Sequence, residues 1–192
     1  DYAMPKALGY YNYFGDLAGP ERRGYYSKTL GNWLLIALNS NLSQTEMQTQ
    51  LAWLKTTLET DSKRPCILAF WHHPAYSSGG HGNNAFMHDA WKLLSAHKAD
   101  IVLSGHDHDY ERFTPMNASG DKDEKNGIRN FVVGTGGAKL TPMFLPKDTT
   151  EIRDNSTNGV LKLSLHEKSY DWEFLPVPGQ QFTDKGSASC HS

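Results

Sequence analysis

The chain has 192 residues, 38% of them apolar and 21% charged, which is enough for one domain with a substantial core and argues against disorder. A net charge of −2 supplies no basic surface for nucleic acid. The longest apolar runs, such as Trp33 to Leu38, are far too short to span a bilayer, and no signal peptide is visible at residue 1. The first residue is Asp1 rather than Met, so a native start is not expected there. Two cysteines, Cys66 and Cys190, are too few for a disulfide scaffold. Their spacing leaves open whether they pair and pin the tail or stay free thiols. Asn41, Asn117 and Asn155 each begin an Asn-x-Ser/Thr triplet in a polar setting that would suit glycosylation of a secreted protein.

Residues 1–30 are rich in Tyr and Gly and read as irregular segments packed by aromatic rings, followed by turns. Trp33 to Leu38 reads as a buried strand. Ser43 and Glu46 form a capping box, and Met47, Leu51, Leu54 and Leu58 give the helix that follows a core face. That helix runs toward the polar stretch Asp61 to Arg64, and Pro65 prevents continuation. Cys66 to Trp71 is a second apolar run. A Gly/Ser/His/Asn loop over 77–84 precedes a helix stripe of Phe86, Ala90, Trp91 and Leu94, which ends near His97 and Lys98. Ile101 to Leu103 is a third buried strand. Strand, helix, strand, helix, strand is the pattern of crossover units in an α/β layer fold.

Beyond Arg112 the pattern changes. Residues 114–127 read as a polar loop, and Ile128 to Val133 as a strand entering the glycine turn 134–137. Residues 138–158 read as irregular. Val160 to Leu165 and Tyr170 to Val177 read as a hairpin with its turn at 166–169, and the tail from Gly179 as a polar surface segment. No repeat, linker or second domain is visible.

Five of the nine histidines fall in two short segments, FWHHPAYSSGGHG (His72, His73, His81) and GHDHDYERF (His106, His108). Each segment follows a buried strand, and in open α/β sheets ligands collect beyond the carboxyl ends of strands. If the two strands are neighbours, several imidazoles aim at one point. His88, His97, His166 and His191 are isolated and read as ordinary hydrogen-bonded side chains. Imidazole nitrogen suits Zn, Fe, Cu and Ni, so a transition metal is favoured over Mg or Ca. Cysteine spacing for a closed structural zinc site is absent. Ser77 and Ser78 lie near these histidines, but no aspartate is evident to orient an imidazole as a serine-hydrolase triad needs.

GHDHDYERF resembles the Gly-His-x-His motif of the calcineurin-like metallophosphoesterases. Its longer form, ending Tyr-Glu-Arg, is similar to that of the purple acid phosphatase branch. FWHHPAYSS resembles the motif that precedes it in that family, and GYYSKTLGNWLLIALNS the segment before both. The resemblance reaches to about residue 177. It implies an α/β fold of the four-layer αββα sandwich type, of which residues 1–192 would be a single domain forming the C-terminal part. By position, His72 and His106 correspond to ligands of one metal and His108 to a ligand of the other. His81 corresponds to a histidine that touches the phosphate or leaving group. His73 has no usual metal role in the family and is expected to support the site or pack, and it joins His81 among the candidate catalytic residues. Asp107 and Asp109 would point away from the metals, and Tyr110, Glu111 and Arg112 would brace the loop. The glycine turn 134–137 would border the active face.

The family's upstream aspartate motifs and its Gly-Asn-His motif are not in these residues. Asp1-Tyr2 could be the tail of the latter, and the N-terminal metal-binding motifs are expected to lie upstream. The resemblance thus implies half of a dinuclear site for two transition metals (Fe, Zn or Mn), and these residues alone are expected to be inactive. The implied activity is hydrolysis of small phosphorylated substrates, as a phosphomonoesterase, by a hydroxide shared between metals. The alternatives are a phosphodiesterase or nucleotide hydrolase of the same fold, or an incomplete metal-binding fragment. The missing N-terminal half would be the partner, with neither nucleic acid nor membrane. The expected compartment is extracellular or periplasmic.

Overall fold

The computed structural model describes residues 7–60 and 66–191. Asp1-Tyr2, Asp61 to Arg64 and Pro65 lie outside the described residues, and with them the readings placed there. A helix α1 (Leu8–Phe14) and two short 3-10 turns lead into a β-hairpin, β1 (Tyr26–Leu30) and β2 (Trp33–Ala37). Then follow α2 (Gln44–Thr60), β3 (Cys66–Phe70), α3 (His88–Ala96) and β4 (Ile101–Ser104). The chain continues through β5 (Tyr110–Phe113), β6 (Arg129–Val133) and β7 (Thr150–Asp154), and ends with β8 (Gly159–Leu165), β9 (Ser169–Pro176) and β10 (Lys185–Ser189).

A mixed sheet has the order β1-β2-β3-β4-β6-β5-β7, and a second sheet has the order β10-β9-β8. The pairs β2–β3, β3–β4 and β4–β6 are parallel, while both flanks of the large sheet are antiparallel. The parallel strands (WLLIA, CILAF, IVLS) are near-continuous apolar runs because both their faces are covered. Strand alternation divides the core in two. Ile36, Ile67, Ala69, Val102 and Val132 face α2 and α3, where they meet Leu54, Leu58, Trp91 and Leu94. Trp33, Cys66, Leu68, Ile101 and Phe131 face the small sheet, where they meet Tyr170, Trp172 and Phe174. Helices, large sheet and small sheet thus form successive layers of a mixed α/β fold.

The capping box at α2 forms as the sequence predicts. Ser43 N–H donates to Glu46 Oε2 at 3.0 Å, and Glu46 N–H to Ser43 Oγ at 3.4 Å. Several expectations need correction. Tyr26–Leu30 is a strand at the sheet's edge, and four of its five residues are exposed, so it carries no apolar pattern. Thr150–Asp154 is a strand in a stretch that reads as irregular, and it pairs with a strand over Tyr110–Phe113, from which Tyr110, Glu111 and Arg112 brace their surroundings as the resemblance implies. Their polar side chains are held by hydrogen bonds rather than by apolar packing, and periodicity misses them. Phe86 is 46% exposed and lies on a 3-10 turn, so Met87 takes the core place assigned to it. The tail does lie over the surface, but as an ordered strand, since β10 pairs with β9 over five residues. The cysteines are joined, Cys66 at the head of β3 to Cys190 just after β10.

Candidate metal centre

The strands that carry the two histidine segments are neighbours. Leu68, Ala69 and Phe70 of β3 pair with Ile101, Val102 and Leu103 of β4, and the ladder continues through Trp71 N–H to Leu103 O and Gly105 N–H to His72 O at 3.0 Å. Both chains therefore leave the sheet side by side at its carboxyl edge. Asp107 N–H closes a tight turn onto Gly105 O at 2.8 Å, with His106 at its centre in the left-handed region (φ 64°). That conformation is costly for a side-chain-bearing residue, and such strain collects at functional sites.

His72, His73 and His106 each offer a ring nitrogen within 4.8 Å of the others. His72 Nε2 and His106 Nδ1 are 3.1 Å apart. The ring centres of His73 and His81 lie 4.3 and 4.2 Å from that of His106. His108 is not in this trio. Its Nδ1–H donates to Lys139 O at 2.9 Å, so only Nε2 is free. His73 Nδ1 is fixed in the same way by Ser40 Oγ at 2.9 Å, on the segment that follows β2. His88, His97, His166 and His191 hydrogen-bond elsewhere, to Ala75 O, Leu93 O, Asp171 and Lys98 O.

Burial, then the neighbouring His106, lower the affinity of His72 for protons, and His106 itself is lowered by burial and by His81. The same causes, with burial first, bring His73 down to about 4. Near neutral pH these rings are uncharged, which is the ligating form. The neutral rings of His72, His73 and His106 make a donor set suited to a transition metal, and a supporting oxygen stands against one ring nitrogen of His73 (Ser40 Oγ) and of His108 (Lys139 O). The residues fit the metal that the fold implies.

Asp107, Asp109 and Glu111 alternate along the chain and are all fully buried. Glu111 accepts from Ser78 N–H and Oγ–H and from Thr150 Oγ1–H. Tyr110 O–H and Arg112 Nε–H both donate to Asp184 at 2.6 Å, which ties the large sheet to the small one. Gly79 packs so closely here that a Cβ would stand 2.4 Å from Asp107 Cγ and Asp109 Oδ2. Asp107 overturns the reason for rejecting a triad, because it does orient an imidazole, that of His81. The rejection itself stands, since Ser77 Oγ–H donates to Asp107 and not to a histidine. Asp107, Ser77 and Ser40 were not marked as site residues by the sequence, and no local pattern sets them apart from other loop polars.

Burial, then Asp107 and Glu111, raise Asp109 to about 7, and among the described residues neither of its oxygens has a hydrogen-bond partner. A carboxyl that keeps its proton in the folded chain supports folding fully below the unfolded value of 3.8, and that support is lost as pH rises through about 7. Asp109→Asn cannot titrate, so its stability relative to the parent should improve by on the order of 2–4 kcal/mol between pH 4 and 8. Urea unfolding at both pH values, with chelator present, measures the gap; a gap that does not move with pH rules the explanation out.

Residues 4–110, more than half of the chain, match the profile of the family described as calcineurin-like phosphoesterase. The chain belongs to that family. Its relatives lie in the purple acid phosphatase branch. It is 27% identical over 147 residues to a probable inactive purple acid phosphatase 9 of Arabidopsis thaliana, covering 71% of this chain and 22% of that protein. It is 31% identical over 125 residues to purple acid phosphatase 18 of the same plant, covering 62% of this chain and 28% of that protein. The chain thus spans about a quarter of the length of these curated relatives. A purple acid phosphatase from yellow lupin (Lupinus luteus) seeds shares the fold, with TM-score 0.78 at 22% identity, over 90% of this chain and 34% of that one.

Proposed function

We propose that this metallophosphoesterase chain is the imidazole-bearing part of a metal-dependent hydrolase of phosphate monoesters, acid-phosphatase-like in its preference. The observation that carries the reading is the meeting of His72 and His106, from two parallel strands, with their nitrogens 3.1 Å apart. His72, His106 and His73 would hold one cation and His108, through Nε2, a second. Iron, zinc or manganese suits such nitrogen donors once carboxylates from polypeptide outside these residues balance the charge. When bound, the metals would supply Lewis acidity and a nucleophile at neutral pH.

The chain's own residues do the rest. His106, fixed in its strained turn, would present a ring nitrogen to the cation that it shares with His72. His81, half exposed beside it, presents its ring to the equatorial oxygens or the leaving group. The 134–137 turn lies against this region, since Gly134 N–H donates to Asp109 O. Secretion is part of the proposal. The Cys66–Cys190 bond suits an oxidising compartment, and Asn41, which is exposed, begins an Asn-x-Ser triplet that would suit glycosylation.

Zinc or cobalt titration of the chain, and assays of an aryl phosphate monoester and the matching diester on the longest natural polypeptide that contains it, test the reading. Metal uptake with preferential monoester hydrolysis is expected. Preference for the diester would move the assignment to a phosphodiesterase. A folded polypeptide that takes up no metal would refute it.

A further inference from the structure

His81 sits in a Gly-Gly-His-Gly segment, whose glycines restrain the backbone little by themselves, yet its ring must be held beside the histidine cluster to be of use. One side chain supplies that restraint. Asp107 Oδ1 accepts both the backbone N–H of His81 at 2.7 Å and its Nδ1–H at 2.9 Å. Asp107 Oδ2 accepts Ser77 Oγ–H, and the same Ser77 Oγ accepts Gly79 N–H at 2.9 Å. The carboxylate is fully buried, whereas the His81 side chain is about half exposed. Asp107 also stands between His106 and His108, on the turn that bears them, and Gly134 packs against its carbonyl where any Cβ would clash.

The structure assigns Asp107, braced by Ser77, as the positioning residue that fixes the ring of His81 to the histidine-bearing turn and leaves Nε2 as the nitrogen facing substrate. One carboxylate oxygen grips the main chain and the ring together, so the loop and the side-chain torsion are set at once. A histidine held by its Nδ1–H is confined to one tautomer, as a carboxylate does for a catalytic imidazole elsewhere. What His81 does to substrate rests on the phosphomonoesterase reading; the tether does not.

Two measurements separate these. Long-range 15N–1H spectra of the histidine-labelled chain should show an Nδ1–H proton on His81, protected from exchange in the parent and lost in Asp107→Ala. If that variant does not fold, Ser77→Ala, which frees one carboxylate oxygen, should speed the proton's exchange. In the longest natural polypeptide, Asp107→Asn should lower kcat for an aryl phosphate by about 10–100-fold with KM within about threefold. The Asp107→Asn/His81→Ala double variant should be no slower than His81→Ala alone, because Asp107 acts through His81. Effects that multiply in the double variant, an unchanged kcat in Asp107→Asn, or an intact Nδ1–H signal in Asp107→Ala would each overturn the assignment. If the parent hydrolyses no phosphate ester, the functional reading falls and the spectra alone decide on the tether.

Discussion

Replacing His106 by glycine should abolish tight metal uptake at the site it shares with His72 and His73, and turnover with it, while leaving the chain as stable as before. The two halves of this expectation have separate causes. The imidazole of His106 is the common neighbour of His72, His73 and His81, so its removal takes away the centre of the donor set. Loss of a mere supporting partner typically weakens metal binding 10–100-fold, so loss of this ring should exceed about 100-fold. Stability responds to the backbone instead. His106 has φ 64°, a conformation that costs a side-chain-bearing residue roughly 1–2 kcal/mol and glycine almost nothing. Glycine's greater freedom in the unfolded chain offsets part of that gain, at about 0.5–1 kcal/mol, so the net change should lie between zero and about +1 kcal/mol. His106→Ala keeps the strain and should be no more stable than the parent. His108→Ala should also lose turnover with the fold intact, but because His108 stands apart from the trio, one equivalent of metal should remain bound. Cobalt absorption and urea midpoints read all three variants. A folded glycine variant that still binds cobalt tightly would show that His106 is no ligand.

The second large effect is at the opposite edge of the sheet. The Cys66–Cys190 bond closes a separation of 124 residues. Loop-closure entropy alone assigns a loop of that size about 4–5 kcal/mol, and removal of native disulfides typically costs 2–5 kcal/mol. Replacing both cysteines by serine should therefore lower the unfolding free energy by roughly that amount. The loss should begin locally. β10 is the outer strand of the small sheet, and beyond the disulfide its end is tied by His191 N–H to Asp100 Oδ1 at 2.7 Å. Asp100 Oδ2 also accepts Ile67 N–H, so this carboxylate joins the tail to the start of β3. Amide exchange over residues 185–189 should quicken first, while β3 and β4 stay protected and cobalt binding at their far ends persists. A double serine variant with an unchanged midpoint would show that Asp100 and the packing of Trp172 and Phe174 hold the tail unaided.

Some of this molecule was written locally in the chain. Apolar runs located the central strands, the capping box started α2, and two strand-end histidine segments pointed to one site. These features survive because each depends on residues close together in sequence: burial on both faces, reciprocal hydrogen bonds three residues apart, and the placing of a loop at a strand's carboxyl end. Tertiary structure alone decided the rest. Tyr26–Leu30, Thr150–Asp154 and Lys185–Ser189 became strands because neighbours offered unpaired backbone groups, not because their own side chains demanded it. The pairing of Cys66 with Cys190, the place of His73 in the trio with Ser40 against its ring, and the grip of Asp107 on His81 each join residues from distant segments. Such contacts follow from how β3, β4 and their loops are brought together, and a linear pattern carries no record of that distance.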